Sequence, residues 1–231
     1  MGILRRLADN QQPQSLANYL RRKRFSAFRS FVAHLPKPVR VLDVGGTESF
    51  WRNMRYTDPR IIQVTLVNVT RQPVSLPNFS SVVGDARAMP QFPDGSFDVV
   101  FSNSVIEHVG SFEDQARMAR EVQRIGRLFF VQTPARSFPI EPHFLFPGFQ
   151  FLPRTLQATL VKRFPLGWFP RQSDDQAVEA FLDCFRLMNF EELRRLFPYA
   201  SIGHERFLGL IKSYIVRGVG MSQVQSQQCV A

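Results

Sequence analysis

The sequence predicts an α/β domain: a mostly parallel sheet with helices on both faces. Three observations predict it. Short β-rich runs alternate with helical stretches over the first 134 residues, which is how βαβ units read. The first of these runs, VRVLDVGG from Val39, is almost continuously apolar and ends in two glycines, as a strand buried on both faces does. The chain has 231 residues, a natural length for one such domain and too short for two with a linker.

The elements follow in order. Residues 1–14 read as a loose leader. Over 15–35, Leu16, Leu20, Phe28, Phe31, Val32 and Leu35 recur at three- and four-residue spacing, which predicts an amphipathic helix, stopped by the PKP at 36–38. Strand one runs from Val39 through Val41 and Leu42 to Asp43, and Gly45 and Gly46 make the turn. A short helix is expected at 48–55, a second strand at 61–69, a third within 79–87 and a fourth at about 97–102. A helix at 112–124 is closed by Gly126, and RLFFVQTP is a fifth strand ended by Pro134.

Residues 135–170 read as irregular, with no strand expected. The stretch carries eight large aromatics between 138 and 169 (Phe138, Phe144, Phe146, Phe149, Phe151, Phe164, Trp168 and Phe169), punctuated by prolines. It is either a lid over the pocket mouth or a small cap that buries these rings itself. Helices are expected at 173–185, with an acidic first turn, and at 189–197, with Asn189 as cap and Glu192 three residues on. The last two strands are placed at about 200–217, one of them antiparallel, and residues 219–231 are expected to be a disordered tail.

Composition excludes several classes. A hydrophobic content of 44% excludes disorder throughout. Two cysteines cannot build a disulfide scaffold, and four scattered histidines form no zinc motif, so no metal is expected. No apolar run reaches the length of a membrane span, and MGILRRLADN lacks a signal-peptide pattern, so the expected location is cytoplasmic. The net charge of +10 divides as +7 over 1–37, zero over 38–134 and +3 over 135–231. The excess is therefore a basic N-terminal helical arm, whose RRKR at 21–24 could make a peripheral contact with an acidic membrane surface or simply stay solvated.

In a parallel sheet the ligand sits beyond the C-terminal ends of the strands, which here are 43–46, 68–70, 84–87, 102–108 and 133–134. GGTESF is neither a G-x-G-x-x-G fingerprint nor a Walker A loop, which counts against NAD and ATP. Asn68 stands where an acid would grip a ribose. Asp85 could accept from the exocyclic amine of a base, with Ala86 leaving room for a flat ring. Glu107 and His108 follow the fourth strand, and a histidine there is a candidate base because its neutral form is abundant near pH 7. His143 is a rival, with Glu141 beside it to orient the ring.

DVGG at 43–46, GDARAMPQFPDGSFDVVFSNSVIEHV at 84–109 and RLFFVQTP at 127–134 together resemble the class I S-adenosylmethionine-dependent methyltransferases, closest to the methyltransferase-11 type. The resemblance covers about residues 39–134. It implies a seven-stranded sheet of order 3-2-1-4-5-7-6 over a methyltransferase domain at 38–218, with the aromatic insertion at 135–170. It further implies that Asp43, Gly45 and Gly46 line the methionine part of the cofactor, that Asn68 sits at the ribose, and that Asp85 and Ala86 frame the adenine. Asn103 and Ser104 would flank the methionine and the acceptor entrance, and Glu107, His108 and His143 are the catalytic candidates. The chain departs from the family in its shortened glycine loop and in the missing ribose acid. The acceptor implied is a small molecule, a lipid or a lipid-linked glycan. An RNA acceptor is the alternative, disfavoured because SNSVIEH replaces the Pro-Pro-Tyr/Phe run of amino-group base methylases and no Pro-Cys nucleophile is present. A non-catalytic protein that keeps the fold is a third reading.

Overall fold

A computed structural model describes residues 16–172 and 174–221. The expected leader and all of the expected tail beyond Met221 lie outside the described residues. The elements are α1 (Leu16–Phe31), β1 (Val39–Val44), α2 (Glu48–Asn53), β2 (Ile62–Asn68), β3 (Phe79–Val83), β4 (Phe97–Asn103), α3 (Phe112–Ile125) and β5 (Gly126–Pro134). They continue with β6 (Ile140–Glu141), β7 (Phe146–Pro147), α4 (Arg154–Arg163), α5 (Asp175–Asp183), α6 (Phe190–Leu196), β8 (Ser201–Phe207) and β9 (Leu210–Val219). Single 3₁₀ turns occupy Ile106–His108 and Phe149–Phe151.

The main sheet has seven strands in the order β3-β2-β1-β4-β5-β9-β8. Counting only its own strands, that is 3-2-1-4-5-7-6. β1 pairs parallel with β2 and β4, β3 with β2, and β5 with β4. β9 runs antiparallel to both β5 and β8. The order reverses between β1 and β4, so a crevice opens at their C-terminal ends.

Each face of the sheet buries one core. On one face Leu42, Val100 and Phe129 pack against Met118 and Val122 of α3 and Leu193 of α6. Ser111 and Asn189 start those two helices with capping boxes to Asp114 and Glu192. On the other face Val41, Val99, Phe101 and Phe130 pack against Trp51 and against Phe25, Phe28 and Val32 of the N-terminal segment. The basic helix is thus a wall of the core: Phe28 is fully buried, its ring centroid 4.8 Å from Phe101 and 5.5 Å from Phe130.

Two expectations are corrected. Residues 135–170 are not irregular, since they contain α4 and the two-residue antiparallel ladder β6–β7, which stands apart from the main sheet. RTLQATLVKR holds no glycine or proline, so once Pro153 has set the first turn nothing interrupts a helix. These elements join α5 around a third apolar cluster of Phe144, Phe149, Val161, Leu166, Val178 and Leu182. The aromatic stretch is therefore a small cap that buries several of its own rings, while Phe151, Phe164 and Trp168 stay exposed. The second correction is the start of the expected tail: β9 runs through Val219, and Gly220 N–H still donates to the Arg127 carbonyl at 2.8 Å. Among the described residues, no helix is long and apolar enough to cross a membrane.

Candidate active site

The β1 turn is built on a buried acid. Gly45 adopts φ +75°, and a Cβ there would lie 2.5 Å from Val105. A Cβ on Gly46 would lie 1.7 Å from Asp43 Oδ2, so only glycine lets the loop rest on that carboxyl. Asp43 is 1% exposed and accepts the Trp51 indole N–H at 2.7 Å. It supports the loop from beneath, leaving the loop backbone to face the crevice. Burial pushes the Asp43 carboxyl up to about 7, with the Trp51 hydrogen bond opposing.

A stability prediction follows. An acid whose folded pKa lies above its unfolded value favours the fold at low pH, and that contribution is lost as pH rises toward the folded value. Between about pH 4 and 7, Asp43 should therefore remove stability with a slope approaching ~1.4 kcal/mol per pH unit. Asp43→Asn keeps an oxygen for Trp51 but cannot ionise. Its thermal midpoint should gain on the parent's as pH rises through this window. Melting curves that stay parallel from pH 5 to 8 would contradict the assignment.

Asn68 closes the loop from the next strand, its Nδ2 donating to the Gly46 carbonyl at 2.9 Å. Gly84 N–H donates to the Asn68 carbonyl at 2.9 Å, which brings the β3 end alongside. Asp85 there accepts the Arg87 backbone N–H at 2.9 Å and the Arg87 guanidinium at 2.6 Å, and that arginine holds its carboxyl below the usual range. Ala86 packs half-buried against the core. At the β4 end, Ser104 takes φ 59° and its hydroxyl donates to Gln132 Oε1 at 2.9 Å. The structure thus brings Gly45, Gly46, Asn68, Asn103 and Ser104 to one crevice, with Asp85 and Ala86 one strand further out.

Beyond β4 and β5 lies a second group. Glu107 is fully buried; its Oε2 accepts from Thr133 Oγ1 at 3.0 Å, and its Oε1 has no hydrogen-bond partner among the described residues. Burial pushes its carboxyl up to about 7. His108 Nε2 lies 3.2 Å from His143 Nε2, and the rings meet edge to face. His143 Nδ1 is 2.6 Å from Glu141 Oε1, while Glu141 Oε2 accepts the backbone N–H groups of His143 and Phe144, each at 2.7 Å. Desolvation, then the nearby His143 charge, push His108 down to about 4, so its ring is neutral at pH 7. The two rival histidines are one cluster, with Phe185 packed against both rings.

Sequence reasoning missed Arg24. Its guanidinium donates to Asn103 Oδ1 at 2.7 Å, Gln132 Oε1 at 2.8 Å and Glu205 Oε2 at 2.8 Å, with its side chain 9% exposed. One signal was available: in RRKR only Arg24 lies four residues from both Leu20 and Phe28, on the buried stripe of α1. Gln132 and Glu205 were missed because nothing before the fold shows that β5 and β8, with β9 between them, present these two side chains to the same arginine.

Residues 42–128 match the family model described as a methyltransferase domain. A search of curated proteins finds no significant match. Among solved structures, the chain resembles the CurJ carbon methyltransferase at 12% identity and TM-score 0.58, covering 90% of this chain and 56% of that one. The chain therefore spans just over half the length of that relative. It resembles a SAM-dependent methyltransferase from Aquifex aeolicus at 11% identity and TM-score 0.50, covering 94% and 96%. It also resembles the N-terminal domain of EvdMO1, solved with S-adenosylhomocysteine and D-fucose, at 13% identity and TM-score 0.50, covering 85% and 82%. At such identities these structures show a shared fold. The methyltransferase-domain match over 42–128 thus runs from β1 to the start of β5, on a sheet of order 3-2-1-4-5-7-6 that shares the fold of the class I S-adenosylmethionine-dependent methyltransferases.

Proposed function

We propose that the chain transfers the methyl group of S-adenosylmethionine to a hydroxyl oxygen of a small-molecule acceptor held beneath the cap at 135–187. The observation that carries this reading is the Glu107–His108–His143 cluster, which stands beyond β4 and β5 where the cap meets the sheet. The crevice residues fit the cofactor. Side chains at positions 45 and 46 would strike Val105 and Asp43 and lift the loop from its seat, and both are glycine, so the loop backbone can lie close to a ligand. Asn68 is an amide beside the loop, able to meet a hydroxyl without adding charge.

The cofactor supplies a methyl group already activated on a sulfonium. The chain's own task is to orient the acceptor, exclude water and take up the hydroxyl proton. Asn103 and Ser104 stand between the two groups of residues. Arg24 and Gln132 hold both in place, so the acceptor side is rigid before anything binds. Beside His143, a cavity of about 250 Å³ is lined by Glu141, Phe144, Phe149, Phe185, Arg136 and Arg186, among others, and it suits an acceptor with an apolar body and polar groups. The exposed Phe151, Leu156, Phe164 and Trp168 on the cap favour a lipid or lipid-linked glycan within this class.

The test is a radiolabelled methyl-transfer screen against a lipid extract, a sugar and small-metabolite pool, and total RNA. Label is expected in the lipid or small-molecule fraction and should resist alkaline hydrolysis as an ether does. Label confined to RNA would overturn the acceptor assignment.

A further inference from the structure

We propose that Glu107, His108 and His143 form a binding site for a divalent metal ion of the zinc type. The inference rests on the methyl-transfer reading and specifies how the acceptor hydroxyl is activated. Its starting point is the direction of two lone pairs. Each neutral imidazole carries one N–H. His143 is tied through Nδ1 to Glu141 at 2.6 Å, and a ring N–H of His108 goes to the Cys184 carbonyl. With those protons assigned, the two Nε2 atoms face each other as acceptors 3.2 Å apart, an arrangement with no donor between them. Two nitrogens each about 2.0–2.1 Å from one tetrahedral ion lie roughly 3.3 Å apart, so the observed spacing is that of two ligands of one metal.

The third ligand is independently marked. Glu107 Oε1 is buried with no partner among the described residues, a costly state for a carboxylate. One ligand atom from each of the three residues lies within 4.8 Å of the others. The nitrogen pair is already at ligand spacing, so the carboxylate is the member that moves inward. The outer contacts also suit a metal. Glu141–His143 is the carboxylate–histidine pairing that fixes a ligating ring, and Trp168 N–H and Nε1–H hold the same turn through the His143 and Pro142 carbonyls at 3.4 and 3.3 Å.

Two imidazoles and one carboxylate select a transition metal over Mg²⁺ or Ca²⁺ and leave a position open. Methyl transfer from a sulfonium changes no oxidation state, so a redox-inert ion suffices. A hydroxyl in the open position loses its proton to solvent more readily, and its oxygen becomes the nucleophile. Because His143 comes from the cap and His108 from the turn after β4, the ion would also fasten the cap to the sheet.

The experiment titrates chelator-stripped full-length protein with Zn²⁺ by calorimetry and with Co²⁺ by visible absorption. The expected result is one ion per chain and a cobalt spectrum of a four- or five-coordinate nitrogen–oxygen site. His143→Ala and Glu107→Gln should each weaken Zn²⁺ binding at least tenfold. Glu141→Gln, which acts only through His143, should weaken it about 10–100-fold. Should Glu107→Gln fail to melt cooperatively, His143→Ala, a change at a half-buried cap residue, decides alone. Absence of stoichiometric binding, or equal affinity in the parent and His143→Ala, would overturn the site. S-adenosylhomocysteine is titrated into the same samples. Its binding without Zn²⁺ binding rejects the metal and leaves the methyltransferase reading standing; Zn²⁺ binding without it rejects that reading and keeps the metal.

Discussion

Replacing His108 by alanine is expected to lower the rate of methyl transfer by about 10²–10⁴-fold, the range for losing a group that activates the acceptor hydroxyl. Binding of S-adenosylhomocysteine should change little, because the glycine loop, Asn68 and the β3 end are held by Asp43, Trp51 and their own backbone bonds. The two measurements together separate a role at the acceptor from a role in folding the crevice. A variant that loses cofactor binding and activity in parallel would place His108 in the architecture and remove it from the chemistry. His143→Ala should fall in the same class as His108→Ala, and the double variant should cost scarcely more than either single one, since the rings act as a unit.

The second large effect is structural. Phe28→Ala should cost about 3–5 kcal/mol of stability, the range for emptying a fully buried phenylalanine site. The ring touches Trp51, Phe101 and Phe130, so the void would open at the centre of one face of the sheet. Denaturant unfolding measures it directly. A loss below about 1 kcal/mol would mean that the helix is a detachable arm. The same packing predicts that removing residues 1–30 destroys the fold, and with it cofactor binding, so basic charge in this helix is better probed by replacing Arg22 and Lys23, which are exposed.

Much of this was legible in the chain. β1, β2, β4 and β5 are buried on both faces and appear as apolar runs with few interruptions, each ended by a turn residue or a polar cluster. Their C-terminal ends therefore pointed at the crevice before any coordinates. α3 and α6 were marked by their caps. The cap helix α4 was not, because its apolar residues do not fall on one clear stripe and the prolines and rings around it suggested a loop. Its partner α5 lies across 11 intervening residues, and the shared cluster forms only in three dimensions. Glu107 and His108 could be named from their position after β4. That His143 would meet His108 from 35 residues away depends on how the cap folds back, which no local pattern encodes. Arg24 was hidden for another reason. Three cationic neighbours made it look solvated, while its place on the helix turned it into the crevice.

Whether the glycine turn after β1 cradles S-adenosylmethionine is tested by calorimetric titration of S-adenosylhomocysteine into the parent and Gly46→Ala. A Cβ at position 46 would lie 1.7 Å from Asp43 Oδ2, so the loop must leave its seat while the sheet below is untouched. One site per chain is expected in the parent, and binding at least tenfold weaker in a Gly46→Ala protein that still melts cooperatively. Equal affinity in the two proteins, or no binding to the parent at millimolar concentration, would contradict it.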